Sequence, residues 1–278
     1  MPYTAEISRA NPAAFVFLID QSASMSDPFV GESPKTKAEG VADAINRLLR
    51  ELSIKCAKEG DVRDYFHIGV IGYGARIAPA FGGELSGREL VPISEVANNP
   101  SRIDERRKKE DDGAGGLVER AVKFPVWFEP QAEGGTPMTA ALTHAKTVVD
   151  GWLTQHPGSF PPIVINITDG ESTDGDPSEI ADAIKLQASA DGSVLLFNVH
   201  LSSAGGPSIS FPDTEASLPN DYARLLFAMS SYLPRHMQQI VADEGHPTTD
   251  GTRGFVYNAD IVEVVSFLDI GTRMSELR

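Results

Sequence analysis

Two predominantly apolar segments, each leading to an aspartate, most constrain the fold of this chain. Residues 14–19 (AFVFLI) lead to Asp20, and residues 162–168 (PIVINIT) lead to Asp169. Runs of this length without polar alternation are typical of strands buried on both faces, as in parallel sheets covered by helices. Ligands of such sheets bind beyond the carboxyl ends of the strands. The sequence therefore predicts that both aspartates lie at one edge of a central sheet.

Helix and strand patterns alternate along the rest of the chain. Helices are predicted at residues 36–59, 137–154, 176–190, 220–243 and from 261 onward, and strands at 65–73, 75–81, 193–201 and 255–259. The strands at 65–73 and 75–81 are too close for a helical crossover, so they are predicted to be antiparallel. Pro234 is expected to kink or split the helix that contains it. The alternation predicts an α/β fold with a doubly wound, mostly parallel sheet flanked by helices.

Two segments lack a clear pattern. Residues 84–130 are predicted to be a charged, solvated insertion, because they contain a basic cluster at 106–109 followed directly by acids at 110–112. This cluster is interpreted as a self-compensated surface run, with a docking loop as the alternative. Residues 203–220 are predicted to form a loop or hairpin excursion. Neither segment resembles an interdomain linker, and the chain shows no internal repeat, so one domain over 1–278 is expected.

The composition disfavours nucleic acid and anionic membranes as partners. The chain has 39 acidic and 24 basic residues and a formal charge of −15, which opposes binding to nucleic acid and to anionic membranes. Its single cysteine, Cys56, excludes an internal disulfide. The first residues lack a signal-peptide pattern, and no run of about 18 apolar residues occurs. We therefore expect a soluble cytoplasmic protein.

Oxygen-bearing side chains follow the predicted strands in a pattern suited to a hard cation. Asp20, Ser22 and Ser24 alternate in one loop, Thr136 follows a pair of glycines in GGTPM, and Asp169 ends the ITDG turn. Mg²⁺ takes about six oxygen ligands in near-octahedral geometry, usually with one or two carboxylates. Two hydroxyls and few acids favour Mg²⁺, with Mn²⁺ or Ca²⁺ as alternatives.

These residues, in this order, resemble the metal-ion-dependent adhesion site (MIDAS) of von Willebrand factor A domains. The resemblance covers about residues 13–270 and implies a six-stranded sheet of order 3-2-1-4-5-6 with one antiparallel edge strand. It also implies a metal ion bound directly or through water by Ser22, Ser24 and Thr136, with Asp20 and Asp169 acting through water or hydrogen bonds. A carboxylate of a partner protein would take the remaining position. The pattern is more similar to cytoplasmic bacterial members, such as those associated with tellurite resistance and with kinase and phosphatase partners, than to secreted adhesins.

Three alternatives compete with this interpretation. Asp20 could act as the nucleophile of a haloacid-dehalogenase-like phosphohydrolase, but Ser22 stands where that chemistry needs a second acid. The metal could instead only order the loops of a structural scaffold. A second ion could use neighbouring acids, although Asp176 is better explained as a helix cap. None of the six histidines has the spacing of a zinc site. Catalysis is not expected.

Overall fold

A computed structural model describes residues 3–29, 35–111, 117–201 and 207–272. Its strands are β1 (Ala13–Asp20), β2 (Ala57–Lys58), β3 (Asp61–Val62), β4 (Phe66–Tyr73), β5 (Ile77–Pro79), β6 (Val91–Pro92), β7 (Arg102–Asp111), β8 (Leu117–Val126), β9 (Ile163–Thr168), β10 (Leu195–Leu201), β11 (Ile209–Ser210) and β12 (Phe255–Ala259). Its α-helices are α1 (Lys37–Cys56), α2 (Ile93–Asn98), α3 (Met138–Gln155), α4 (Ser178–Leu186), α5 (Asp221–Met229), α6 (Arg235–Asp243) and α7 (Ile261–Thr272).

The main sheet has eight strands in the order β11-β12-β10-β9-β1-β4-β5, with β6 also pairing with β4. Strands β4, β1, β9, β10 and β12 are parallel to one another, whereas β5 and β6 are antiparallel to β4 and β11 is antiparallel to β12. The six predicted strands therefore follow the predicted order 3-2-1-4-5-6, and the α/β fold class is confirmed. The short strands β6 and β11 extend the predicted sheet.

Helices cover both faces of the sheet because its central strands are apolar on both. From β1, Phe15, Phe17 and Ile19 point into a core that includes α1 and α7 residues, while Val16 and Leu18 point into a second core with α3 and α5 residues. Every residue of β1 is buried. The continuous apolar run in the sequence thus reflects a strand enclosed between two helical layers.

Most element boundaries lie close to the predicted ones. The predicted helix at 220–243 is divided into α5 and α6, and Pro234 precedes the first residue of α6. Helix α4 ends at Leu186 rather than near Ala190, because Gln187 is already extended. Within the described ranges, no helix is long and apolar enough to cross a membrane.

Residues 84–130, which show no clear pattern in the sequence, contain regular secondary structure. This part contains α2, the edge strand β6 and a long antiparallel hairpin of β7 and β8. Trp127 and Phe128, which follow β8, are each only 2% exposed. Their backbone N–H groups both donate to Oδ1 of the buried Asn46 on α1. The segment is therefore anchored in the core at its carboxyl end. Residues 112–116, in the predicted charged run, and 203–206, in the predicted excursion, lie outside the described residues.

Candidate metal site

Asp20 is the buried floor of the candidate site. It ends β1 and is 0% exposed. The Ser22 backbone N–H donates to Asp20 Oδ1 at 2.8 Å, and the Thr168 hydroxyl donates to Asp20 Oδ2 at 2.7 Å. Burial raises the pKa of Asp20 to about 6, against these hydrogen bonds, which lower it. A nearby cation would offset the cost of burying this carboxylate.

The two serine hydroxyls connect the first loop to Asp169. Ser22 Oγ lies 3.0 Å from Ser24 Oγ, and Ser24 Oγ donates to Asp169 Oδ1 at 2.7 Å. An octahedral site with bonds of about 2.0–2.1 Å has neighbouring oxygens about 2.9 Å apart. The separations from Ser22 to Ser24 and from Ser24 to Asp169 are therefore each close to the spacing of adjacent oxygens around Mg²⁺. Ser24 is exposed, so the cluster reaches the surface.

The glycine-rich turn is bound to the first loop through backbone hydrogen bonds. Ala23 N donates to Gly134 O at 3.0 Å, and Glu133 N donates to Gln21 O at 2.6 Å. Gly134 has a φ of +87°, and a Cβ at this position would lie 2.5 Å from Ala75 N. Only glycine meets both demands. The turn thereby brings its threonine toward the serine loop.

Thr136 lies beside the third loop. Its backbone N–H donates to Thr173 Oγ1 at 3.0 Å, and its carbonyl accepts from Thr173 N at 2.9 Å. A Cβ built on Gly170 would be 3.6 Å from Thr136 Oγ1, so this hydroxyl is adjacent to the residue that follows Asp169. The structure therefore brings all three predicted loops together at the carboxyl edge of the sheet.

The residue that sequence reasoning missed is Lys37. Its Nζ donates to Asp169 Oδ2 at 2.8 Å, and the two side chains are 1% and 0% exposed. Lysine near a polar loop is ordinarily solvated, so its sequence context gave no signal of a buried partner 132 residues away. Asp169 thus accepts a hydrogen bond from Ser24 through one carboxylate oxygen and from Lys37 through the other.

Nearby acids cap helices. Asp174 accepts from the backbone N–H groups of Thr139 and Ala140, at 3.0 and 2.9 Å, in the first turn of α3. Asp176 accepts from Ser178 N at 2.9 Å, as expected for a cap of α4. In the described part of the chain, no three Asp, Glu, His or Cys side chains form a cluster suited to a metal. The candidate site depends instead on hydroxyls.

A buried polar chain crosses the sheet beneath the site. Tyr73 donates to Asn166 Oδ1 at 2.7 Å, Asn166 donates to Asn198 Oδ1 at 3.0 Å, and Asn198 donates to Ser230 Oγ at 2.9 Å. These hydrogen bonds link β4, β9, β10 and the end of α5. Asn166 interrupts an apolar run, and its role was not predicted. The chain of bonds fixes β9, which leads to Asp169, relative to β4 and β10.

His200 lies near the carboxyl end of β10, where it pairs with Thr168 of the neighbouring strand β9. Its ring stacks on Tyr257 with centroids 4.6 Å apart, and its Nδ1 accepts from Asn258 N at 3.2 Å. Burial lowers the pKa of His200 to about 4; nearby Asp169 raises it and Lys37 lowers it. Neutral His200 is therefore a structural hydrogen-bond acceptor in this fold.

We expect His200 to make the metal-free protein less stable in acid. Because its pKa in the folded state lies below the ordinary value, the unfolded chain takes up the proton first, and stability is lost as pH falls from about 6.5 toward 4. The contribution between pH 7 and pH 5 is about 2 kcal/mol. Asp20, whose pKa is raised, opposes this trend.

Urea unfolding of the wild type and of His200→Gln at both pH values isolates the effect, since contributions of other groups cancel in the comparison. The variant should lose less stability on acidification. An identical loss in both proteins would show that His200 titrates normally.

Comparisons with known proteins support the fold. No protein-family model and no curated protein matches this sequence. The pilus adhesin SpaC from Lactobacillus rhamnosus GG has a similar structure, with a TM-score of 0.50 and 14% identity over 94% of this chain and 31% of that one. At this identity the similarity concerns the fold alone.

Other solved structures overlap less closely. Proximal thread matrix protein 1 from the mussel byssus, with a zinc-occupied MIDAS motif, gives a TM-score of 0.48 at 14% identity, covering 96% of this chain and 48% of that chain. Manganese-loaded TRAP protein of Plasmodium vivax gives 0.44 at 15% identity, covering 93% and 72%. The chain thus spans about half the length of the mussel protein.

Proposed function

We propose that this chain is a von Willebrand factor A-type domain that holds one divalent cation and uses it to bind an acidic side chain of a partner protein. The observation that carries the proposal is the continuous set of oxygens from Ser22 Oγ to Ser24 Oγ to Asp169 Oδ1, spaced at 3.0 and 2.7 Å. This spacing suits adjacent ligands of an octahedral ion. Buried Asp20 and neighbouring Thr136 complete the predicted set.

The residues divide into ligands and supports. Ser22, Ser24 and Thr136 would offer hydroxyl oxygens to the ion, directly or through water, while Asp20 and Asp169 orient hydroxyl and amide groups and supply negative charge. When bound, the ion supplies a positive centre that a carboxylate can approach. The small number of acids favours Mg²⁺, with Mn²⁺ and Ca²⁺ as alternatives.

The setting of this function is proposed from the motif's resemblance to cytoplasmic family members. We place the protein in the cytoplasm and its partner in a kinase- or phosphatase-associated complex. The formal charge of −15 supports a protein partner over nucleic acid or an anionic membrane.

The phosphohydrolase alternative is not favoured by the geometry of Asp20. A nucleophilic carboxylate must reach its substrate, but Asp20 is 0% exposed and both of its oxygens accept hydrogen bonds. The residue two positions on, Ser22, cannot serve as the general acid near neutral pH. The arrangement therefore supports binding rather than phosphoryl transfer.

The metal site is tested by titrating Mn²⁺ into metal-stripped protein in a calorimeter. We expect one ion per chain and a loss of at least about tenfold in affinity for Ser24→Ala, since this change removes one ligand of a small oxygen set. A captured partner protein should be released by chelator.

Ser26→Ala is the matched control. Ser24 and Ser26 lie on one short 3₁₀ helix, Ala23–Ser26, and the Ser26 hydroxyl donates to Ala23 O at 2.7 Å. Its removal should leave Mn²⁺ affinity unchanged. Equal affinity of the wild type and Ser24→Ala would place the ion elsewhere, and no binding to the wild type would reject the metal site.

A further inference from the structure

Lys37 is a charged side chain of the site for which the proposed function gives no role. Its ammonium group is buried against Asp169 in a pair whose side chains are 1% and 0% exposed. The same carboxylate accepts from Ser24 through its other oxygen. Any cation that binds at the serine hydroxyls therefore lies close to a fixed positive charge.

Stability alone does not explain a lysine at this position. Lys37 is the first residue of α1, where the positive end of the helix dipole disfavours a cation. Burying an ammonium group is costly, and apolar side chains of similar volume often replace a buried ion pair with no loss of stability. The position of Lys37 is therefore unfavourable both because of the helix dipole and because of burial. A charge retained under these conditions indicates a role in the site.

Hydrogen bonds at the start of α1 fix the position of the Lys37 backbone, from which the side chain extends. Thr36 and Glu39 form a reciprocal capping box at the start of α1, with hydrogen bonds of 3.2 and 2.9 Å. The Lys37 N–H donates to Asp27 O at 2.9 Å, which ties the helix to the end of the serine loop. The ammonium group is thus presented to Asp169 by a constrained helix terminus.

The charge of the site follows from these groups. Ionised Asp20 and Asp169 with Lys37 leave one net negative charge, so a divalent cation converts the site to one net positive charge. Without Lys37 the same ion would produce a neutral site. Lys37 therefore opposes binding of the metal and leaves the loaded site attractive to an anion.

We propose that Lys37 is an internal counter-cation of Asp169 that regulates the metal site. It holds the buried carboxylate when no metal is bound, lowers affinity for the metal, and gives the loaded site the positive charge that favours an acidic ligand. This inference rests on the proposed function and deepens it.

The test is calorimetric titration of Mn²⁺ into metal-stripped wild type, Lys37→Met and Lys37→Gln. Removing the charge should tighten Mn²⁺ binding by at least about tenfold in both variants. The glutamine of Lys37→Gln retains an N–H donor for Asp169. This variant therefore provides the affinity measurement if Lys37→Met folds poorly. In chelator both variants should melt at lower temperature than the wild type, and Mn²⁺ should raise their melting temperatures by more than it raises that of the wild type.

Lys35→Met is the matched control for net charge. Lys35 lies two residues away, and its side chain is 49% exposed. The Lys35→Met substitution should change Mn²⁺ affinity by less than about twofold, because solvent and salt screen an exposed charge. Unchanged or weaker binding by both Lys37 variants overturns the counter-cation role while leaving the metal site intact. No Mn²⁺ binding by any of the proteins rejects the proposed function itself.

Discussion

Replacing Asp169 by alanine is expected to lower the free energy of unfolding of the metal-stripped protein by about 3–5 kcal/mol. The substitution leaves the Lys37 ammonium group, whose side chain is 1% exposed, without the carboxylate 2.8 Å away. It also removes the acceptor of the Ser24 hydroxyl. Urea denaturation in the presence of chelator measures the loss without a contribution from bound metal.

The double variant Asp169→Ala, Lys37→Met separates the ion pair from other effects. Because it contains no uncompensated buried charge at this position, it should recover at least half of the stability lost by Asp169→Ala. A loss of less than about 1 kcal/mol in the single variant would mean that Lys37 reaches water when its partner is absent. A double variant with the summed loss of both single changes would show that the two residues are not coupled.

Trp127→Ala is expected to cost about 3–5 kcal/mol, because it empties a large volume in the core. Trp127 is 2% exposed, and its indole Nε1–H donates to Val96 O at 2.5 Å. The residue lies where the hairpin of β7 and β8 returns to the domain. The loss, measured by urea denaturation, tests whether this segment is part of the core.

Ile103→Ala is the control from the same hairpin. Ile103 is 58% exposed, so its truncation should change stability by less than about 0.5 kcal/mol. Similar small effects of both substitutions would contradict the anchoring of the segment in the core.

The central sheet could be predicted because its physical signal is local and strong. Strands β1 and β9 are predominantly apolar, and their pairing, with Ile19 opposite Ile167, places Asp20 and Asp169 at the same edge. The short spacing between β4 and β5 likewise left only an antiparallel pairing. The assembly of the three loops followed from this topology, so the site could be predicted as a cluster.

The hairpin of β7 and β8 and the buried ion pair of Lys37 could not be predicted from the sequence, each for a different reason. Strand β7 carries charges on successive residues, which hides the alternation expected of a strand; Arg106 nevertheless pairs with Asp43 at 2.8 Å and stacks over Phe124 at 3.5 Å. Lys37 depends on a partner brought near only by the completed fold. Long-range pairing of charged side chains leaves no periodic signal in a sequence.

The most direct test of the account is to locate the Mn²⁺ ion expected from the titration. Anomalous diffraction from crystals grown with Mn²⁺ should show one strong peak within about 2.5 Å of the Ser22 and Ser24 hydroxyl oxygens, above the buried Asp20. The contradicting result is a crystal saturated with Mn²⁺ whose anomalous map shows no peak at these hydroxyls, whether or not a peak lies elsewhere. The three loops would then not form a divalent metal site.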